Sequence, residues 1–576
     1  MRNSAFFNGK VFLAALGTFA SLSFSALPTG VTLKTFYDTA SVNLKGSLAK
    51  ITSIAEVPGL PKHLFALDLK GKLWGIFPNA TGYSGLSWVN YTGAAYTKTL
   101  LADFSSDTHY SAEGEAGAYS VVFSPLYATN HKFYVWYYRN NAAWAAILPK
   151  YYPSGVKGIA SFNGQDPFGL AAGDFSLDEY QTNDSATSVT RLRQVFIVHQ
   201  QPAVGSGTAK FGPDGYLYLT TGSYDGESRN LHNNLNKVLR IDVTTPPPVG
   251  ASYVVPADNP YVGVIASVDS FQSLGTKPPN YPPFVNGAVD TALKKEIWAR
   301  GFRNPWTLAF DPDSGFLWMG EILQDRNEEI NLIVKGGNYG WNRGGDLNNL
   351  GDGNYGGSSY GWGYSGPCAT ATNPEHKPGG DSCKYYKDPA FAAPRSGAHA
   401  LQCVIAGTVF HGAKTSPFYG YLLGTDNTLD TLWAFKKGDA TPQSIGHPTN
   451  FGNNVSHRGI SSMASGIDGT VYVSAMDWYD PANKTYTGTS AYYELYQLSS
   501  PDLTTKSYAE LTTDIQVHNK RMMDKFTSQP RLMVNLGFSG KANGRVYDLG
   551  GKLTSGRPGA GVYYLKPDAS QVNPSR

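Results

Sequence analysis

Gly212 to Thr220 reads GPDGYLYLT. A Gly/Asp turn supplies backbone angles that other residues resist, and the apolar and aromatic residues that follow at every second position form the pattern of a half-buried strand. The same turn-and-strand unit recurs at Leu69 to Phe77 (LKGKLWGIF), Ala128 to Tyr138 (ATNHKFYVWYY), Asp311 to Gly320 (DPDSGFLWMG) and Ile467 to Ala475 (IDGTVYVSA). A more divergent copy covers Gly420 to Phe435, where YLLGTDN is followed by TLWAF. Successive copies lie about fifty to a hundred residues apart, which suits four-stranded blades carrying loop insertions. Six copies predict an all-β, six-bladed β-propeller, although unrelated hairpins in a β-sandwich would show the same alternation.

Composition agrees with short aromatic strands joined by turns. The 576 residues include 64 Gly, 35 Pro, 37 Tyr and 28 Phe, and only 16% are charged. The net charge is +3 and no basic run tracks a phosphate backbone, which argues against a nucleic-acid partner. Arg2 and Lys10 precede an apolar run from Val11 to Ala20 and then small residues through Ala26, the layout of a secretory signal peptide over residues 1–26. That run is too short and too rich in Ser, Thr and Gly for a transmembrane anchor, so the expected location is secreted, periplasmic or cell-surface. Three cysteines suit an oxidising compartment. Cys368 and Cys383 share one Gly/Pro-rich loop, and a bond between them would leave Cys403 outside any disulfide.

Long insertions interrupt the repeats at Asn140 to Gly173, Thr245 to Pro283 and Gly336 to Gly366, and loops of that length in a compact fold are often functional. The propeller is expected over residues 27–498, a linker with a helix near Ser507 to Phe526 over 499–530, and a small β segment over 531–576. Within the last, Gly544 to Lys566 reads GRVYDLGGKLTSGRPGAGVYYLK. It resembles the end of C-terminal sorting domains of secreted bacterial proteins, with a V-Y-D-x-x-G-K strand before a G-V-Y-Y strand.

The densest motif run is Glu296 to Asp346. It holds G-x-R-N-P at Gly301 to Pro305, Q-x-x-x-E-E-I-N at Gln324 to Asn331 and G-x-N-Y-G-W at Gly336 to Trp341, in that order. With FGPDGYLYLTTG and NKVLRID between Phe211 and Asp242, this resembles the glucose/sorbosone dehydrogenase family. That family includes soluble quinoprotein sugar dehydrogenases and the propeller of hedgehog-interacting proteins. The resemblance runs from about Ala49 to Leu498 and again implies six blades.

What the resemblance implies is oxidation of an aldose or related polyol, with pyrroloquinoline quinone and calcium at one propeller mouth and an external electron acceptor. A quinone bearing carboxylates needs cations, and calcium needs hard oxygen ligands. Arg303 stands at the family's quinone-contacting position, followed by Asn304, and Gln324 and Glu328 are further cofactor-binding candidates. Glu329 could orient Arg303 or lie near a metal, and Asn331 could cap a turn; the E-E-I-N run could also be purely structural. Tyr339 and Trp341 are candidates for a sugar-stacking wall, or for filling between blades.

Three departures weigh against the family reaction. The family's H-x-x-G-x-x-x-F arrangement, aligned on Phe211, places the general base at Val204, and valine accepts no proton. His199, five residues upstream, is the substitute candidate. Ser223 replaces the aspartate of the usual G-D pair, and Arg458 lies earlier than the family's cofactor-holding arginines. The alternative expectation is a degenerate propeller that binds carbohydrate or a protein partner. A glycosidase would need a carboxylate pair across a sugar pocket, and no paired motif points to one.

Overall fold

The computed structural model describes residues 26–35, 51–78, 96–108, 116–140, 173–200, 207–222, 231, 233–263, 293–323, 327–339, 387, 389–429, 431–446, 458–477, 493–507, 509–514, 546–548 and 563–565. Contacts divide the chain into two compact units, Met1–Leu511 and Thr512–Arg576.

The first unit holds six four-stranded antiparallel sheets, arranged as a six-bladed β-propeller. The first strand, β1 (Thr32–Thr35), belongs to the last sheet. Blade 1 comprises β2 (Ile51–Glu56), β3 (Leu64–Asp68), β4 (Lys72–Pro78) and β5 (Tyr96–Asp103); blade 2 comprises β6 (Ala118–Phe123), β7 (Lys132–Asn140), β8 (Gly173–Thr182) and β9 (Val189–Gln200). Blade 3 is β10 (Ala209–Phe211), β11 (Leu217–Thr221), β12 (Lys237–Ile241) and β13 (Ile297–Arg300), and blade 4 is β14 (Pro305–Phe310), β15 (Leu317–Glu321), β16 (Asn327–Ile333) and β17 (Phe391–Pro394). Blade 5 is β18 (Val404–Val409), β19 (Leu422–Asp426), β20 (Leu432–Phe435) and β21 (Gln443–Gly446). Blade 6 is β22 (Arg458–Ser465), β23 (Val471–Asp477) and β24 (Tyr493–Ser499), with β1 paired on its outer edge.

The first strand of each blade lines the axis. β2 neighbours β6 and β22, and β6, β10, β14, β18 and β22 follow one another round the ring. Each predicted turn-and-strand copy lies in a different blade, contributing β4, β7, β11, β15, β19 with β20, and β23. In blade 1 the copy spans the turn between the second and third strands instead of the first turn. The ATN turn of blade 2 is a single helical turn, α1 (Tyr127–Asn130), ended by His131 at a φ of 51°.

Side-chain alternation explains where the core sits. The inner and middle strands bury both faces against adjacent blades, so the apolar residues form six clusters, one at each blade interface. Between blades 1 and 2 the cluster is aromatic, with Phe65 at 5.4 Å from Phe133 and 5.1 Å from Phe123.

Nearer the axis, hydroxyls join the inner strands across every interface. Thr52 Oγ1 donates to Ala118 O at 2.6 Å, Ser120 Oγ to Ala209 O at 3.1 Å and Thr208 Oγ1 to Trp306 O at 2.8 Å. Ala406 N donates to Thr307 Oγ1 at 2.8 Å, Thr408 and Ser465 share a hydroxyl pair at 2.7 Å, and Ser461 Oγ donates to Ile51 O. Five inner strands slip register at the same level, at Ile51/Ser53, Ala118/Ser120, Pro305/Thr307, Ala406/Thr408 and Ile460/Ser462. A bulge takes one residue out of the ladder and re-aims it, which turns Thr52 and Ser461 toward the neighbouring blade.

Residues 509–514 are helical, inside the predicted 507–526 span. Ser507 Oγ and N both bond Glu510 Oε2 at 2.8 Å while Glu510 N returns to Ser507 Oγ, a reciprocal N-terminal cap. In the second unit, β25 (Val546–Asp548) pairs antiparallel with β26 (Tyr563–Leu565), the two strands expected from V-Y-D and V-Y-Y. Cys403 is half-buried; Cys368, Cys383 and most of the three long insertions lie outside the described residues. Among the described residues no helix is long and apolar enough to cross a membrane.

Ser461→Ala should lower stability by only about 1 kcal/mol, because Ser474 Oγ still donates to Ile51 O at 3.2 Å. The double change Ser461→Ala, Ser474→Ala leaves that buried carbonyl without either hydroxyl and should lose a further 1–3 kcal/mol or so. Urea midpoints of the three proteins check both values.

Candidate functional site

The G-x-R-N-P motif lies at the head of β14, where the inner strand of blade 4 enters the ring. Gly301 takes a φ of 89°, a left-handed conformation glycine adopts at little cost. Behind the motif, β15 and β16 pair so that Glu321 stands directly opposite Glu329. Alternation then sorts the E-E-I-N run. Glu329 and Asn331 share the face of Glu321, turned toward blade 3 with Met319, while Glu328 and Ile330 turn toward blade 5.

On the blade 3 side, Arg303 N donates to Glu321 Oε1 at 2.7 Å. Asn331 Nδ2 donates to Glu321 Oε2 at 3.0 Å and to Glu329 Oε2 at 3.3 Å. All of these side chains are buried: Arg303 is 6% exposed, and Glu321, Glu329 and Asn331 are 2% or less. Arg303 Nη1 binds Ile322 O at 2.9 Å and Leu323 O at 3.5 Å, fixing the guanidinium against the turn after β15. Asn304 O accepts from Ile322 N at 3.0 Å, so the motif and that turn are tied together.

On the blade 5 side, Arg395 Nη1 meets Glu328 Oε1 at 2.6 Å and Val404 N donates to Glu328 Oε2 at 3.2 Å. This carboxylate joins blade 4 to the entry of β18. Burial raises the Glu328 carboxyl well above its ordinary range, with Arg395 and the Val404 N–H opposing the shift. Glu321 is also raised well above the usual range, first by burial and then by the charge of Glu329.

The other sequence candidates fall apart spatially or outside the described residues. His199 is on β9, the outermost strand of blade 2, in register with Asp174. Three interstrand spacings, about 14 Å, separate β9 from the inner strand, and the His199 side chain is outside those described. Gln324, Val204, Ser223 and Trp341 lie outside the described residues, and Arg458 opens β22 with its side chain likewise outside. Tyr339 is interior: 2% exposed, stacked on Phe302 at 4.9 Å, with its hydroxyl donating to Leu332 O at 2.6 Å. Of its two sequence readings, filling between blades is the one this position matches. Glu321 and Arg395 were not singled out by the sequence, since MGEI and APRSG carry no motif; pairing across β15 and β16 reveals the first.

Arg303 and Asn304 supply a planar cation and an amide, chemistry that suits a quinone's carboxylates, although both side chains are buried against the protein. Calcium is served differently. Glu321 and Glu328 already accept from Arg303 N, Asn331, Arg395 and Val404 N, and among the described residues no group of three or more His, Cys, Asp or Glu converges as a metal would require. These carboxylates do not compose a calcium site.

Comparison with known proteins agrees with the motif run. Residues 272–401 match the profile of the family described as Glucose / Sorbosone dehydrogenase. Over that stretch the chain is similar to the glucose/sorbosone dehydrogenase family. It is 25% identical over 406 residues to HIPL1 protein of Arabidopsis thaliana, covering 63% of this chain and 49% of that protein. Aldose sugar dehydrogenase YliI of Escherichia coli is 25% identical over 251 residues, covering 42% of this chain and 51% of the relative. Quinoprotein glucose dehydrogenase B of Acinetobacter calcoaceticus is 35% identical over 136 residues, or 24% of this chain and 25% of that enzyme. The chain thus spans about half the length of these family members or less. The crystal structure of the soluble aldose sugar dehydrogenase from Escherichia coli superposes with a TM-score of 0.50 at 18% identity, covering 82% of this chain and 99% of that one. At that identity the likeness establishes the fold.

Two outcomes test the charge network. Burial and the charge of Glu329 raise the Glu321 carboxyl in the folded chain, so this group's contribution to stability is lost as pH rises above the ordinary carboxylate range. Glu321→Gln should therefore raise the melting temperature at pH 8 and change it little near pH 4, Asn331 turning its amide to accept from the new one. Arg395→Ala should cost about 3 kcal/mol at pH 8 by stranding Glu328, and less at pH 5, because burial raises the Glu328 carboxyl and so favours its neutral form as pH falls; urea midpoints at both pH values check this.

Proposed function

We propose that the protein is an exported sugar dehydrogenase of the quinoprotein type, oxidising an aldose or related polyol and passing two electrons to an external acceptor. The observation that carries this is the placement of Arg303 and Asn304 at the head of an inner propeller strand, backed by a buried carboxylate network that holds the loop in one conformation. Pyrroloquinoline quinone, when bound, supplies the two-electron acceptor chemistry. Arg303 would hold a carboxylate of that group and Asn304 would supply an amide contact. Gln324 is proposed as a cofactor contact on its motif alone, and Glu328 is proposed to act by anchoring Arg395 at 2.6 Å. Calcium, which the family resemblance implies, would have to draw on residues other than Glu321, Glu328 and Glu329.

Export rests on the charged, apolar and small-residue succession of residues 1–26, and delivery to the cell surface on the V-Y-D and V-Y-Y hairpin of the tail.

A second reading is a propeller that has kept the scaffold and binds carbohydrate or a protein partner without redox chemistry. Val204 favours it, since a valine at the base position leaves the substrate hydroxyl proton without its usual acceptor. The position of His199 on an outer strand favours it too.

Incubation with pyrroloquinoline quinone and calcium, followed by gel filtration, quinone absorbance and dye-linked oxidation of aldoses, separates the readings. The dehydrogenase should retain the quinone and reduce the dye, and Arg303→Ala should lower quinone retention at least tenfold. Absence of both absorbance and turnover, under conditions that load an active relative, overturns the dehydrogenase in favour of the binding propeller.

A further inference from the structure

We infer that the space on the propeller axis is a halide site, with the Lys210 ammonium as its cationic ligand. All six inner strands bound this cavity, which has a volume of about 30 Å³. Thr52, Ser120, Thr307 and Ser462 contribute hydroxyls to its wall, and among the described residues Lys210 is the charged lining side chain, with no Asp, Glu or His beside it.

The register of β10 explains the aim of the lysine. Ala209 is fully buried in the cluster between blades 2 and 3. Its neighbours Thr208 and Lys210 therefore take the opposite face, toward blade 4, and both line the axial cavity. Lys210 is half-buried and keeps some accessible surface at the cavity. It makes no hydrogen bond and no ion pair with another described residue, and burial alone acts on its amine, drawing it below the ordinary lysine range. Ser462 is 8% exposed, lines the same space, and its hydroxyl also has no hydrogen-bond partner among the described residues. The register slips of β2, β6, β14, β18 and β22 lie at this level, which turns further backbone off the sheet ladders.

An isolated ammonium held away from bulk water is costly unless a counter-ion accompanies it. The described wall supplies no carboxylate, and it supplies an amine and a hydroxyl that can both donate. The volume admits about two water-sized bodies. That suits chloride or bromide with at most one water, and it is too small for a sugar, a phosphate group or a carboxylate-bearing cofactor. The same limit removes Lys210 from consideration as a base acting on a sugar within this space.

The full chain in sodium chloride, compared with Lys210→Met, tests the assignment by chlorine-35 line width. Wild-type protein should broaden the chloride signal in proportion to its concentration, bromide should compete, and the variant should lose that component. Crystals of the wild-type chain grown in bromide should show an anomalous peak on the axis within hydrogen-bond range of Lys210 Nζ, a measurement that stands even if the variant does not fold. Equal broadening by the two proteins, or water alone on the axis with no anomalous signal, overturns the proposal.

Discussion

Ring closure is the constraint on which this molecule depends. A propeller blade is a small twisted sheet with two apolar faces, and neither face is covered until a blade stands on each side. The six interface clusters are therefore mutually dependent, and no central hydrophobic core substitutes for them. The hydroxyl links between inner strands hold the ring where apolar packing is thinnest, close to the axis. Each contributes on the order of 1 kcal/mol, and together they fix the spacing of the strands from which any site at the mouth must be built. The final join is also polar: Glu56 of blade 1 accepts from Ile467 N and Tyr472 Oη of blade 6, and Lys62 meets Asp468 at 3.1 Å.

Blade 4 shows how that rigidity reaches the mouth. Its two middle strands place a pair of carboxylates toward one neighbour and a third toward the other, so a single four-residue run addresses both adjacent interfaces. Such buried acids are a poor source of net stability. Their effect is conformational: Arg303 cannot swing away without breaking contacts to Ile322 and Leu323, and Arg395 cannot leave without stranding Glu328. A site wall held in one conformation loses little entropy on binding a ligand. The same rigidity serves equally for a cofactor or for an inert scaffold, and chemistry at the base position distinguishes them.

The fold was legible because each blade repeats one local rule, a Gly/Asp turn followed by period-two alternation, and the rule survives long insertions. Its phase was less legible. In blade 1 the turn Pro58 to His63 lacks the Gly/Asp strand signature, so the repeat was visible only one turn later, at Gly71. Arg303 and Glu328 were legible through their motifs, but their partners were not, because pairing Glu321 with Glu329 or Glu328 with Arg395 depends on register and on the approach of a neighbouring blade. Lys210 was silent for a similar reason. A single lysine in a strand ordinarily faces solvent, and only the ring geometry turns this one toward the axis.

The last blade takes three strands from residues 458–499 and its fourth from residues 32–35, so Thr32 and Ser499, 467 positions apart, become neighbours. Assembly therefore has a temporal order imposed by topology. While the chain is still emerging, five blades can form only as an open arc with an uncovered apolar face at each end, the state in which sheet proteins are most prone to pair with strangers. The interval between the first strand and the last is a window of vulnerability, and its length is set by the rate at which the polypeptide is delivered.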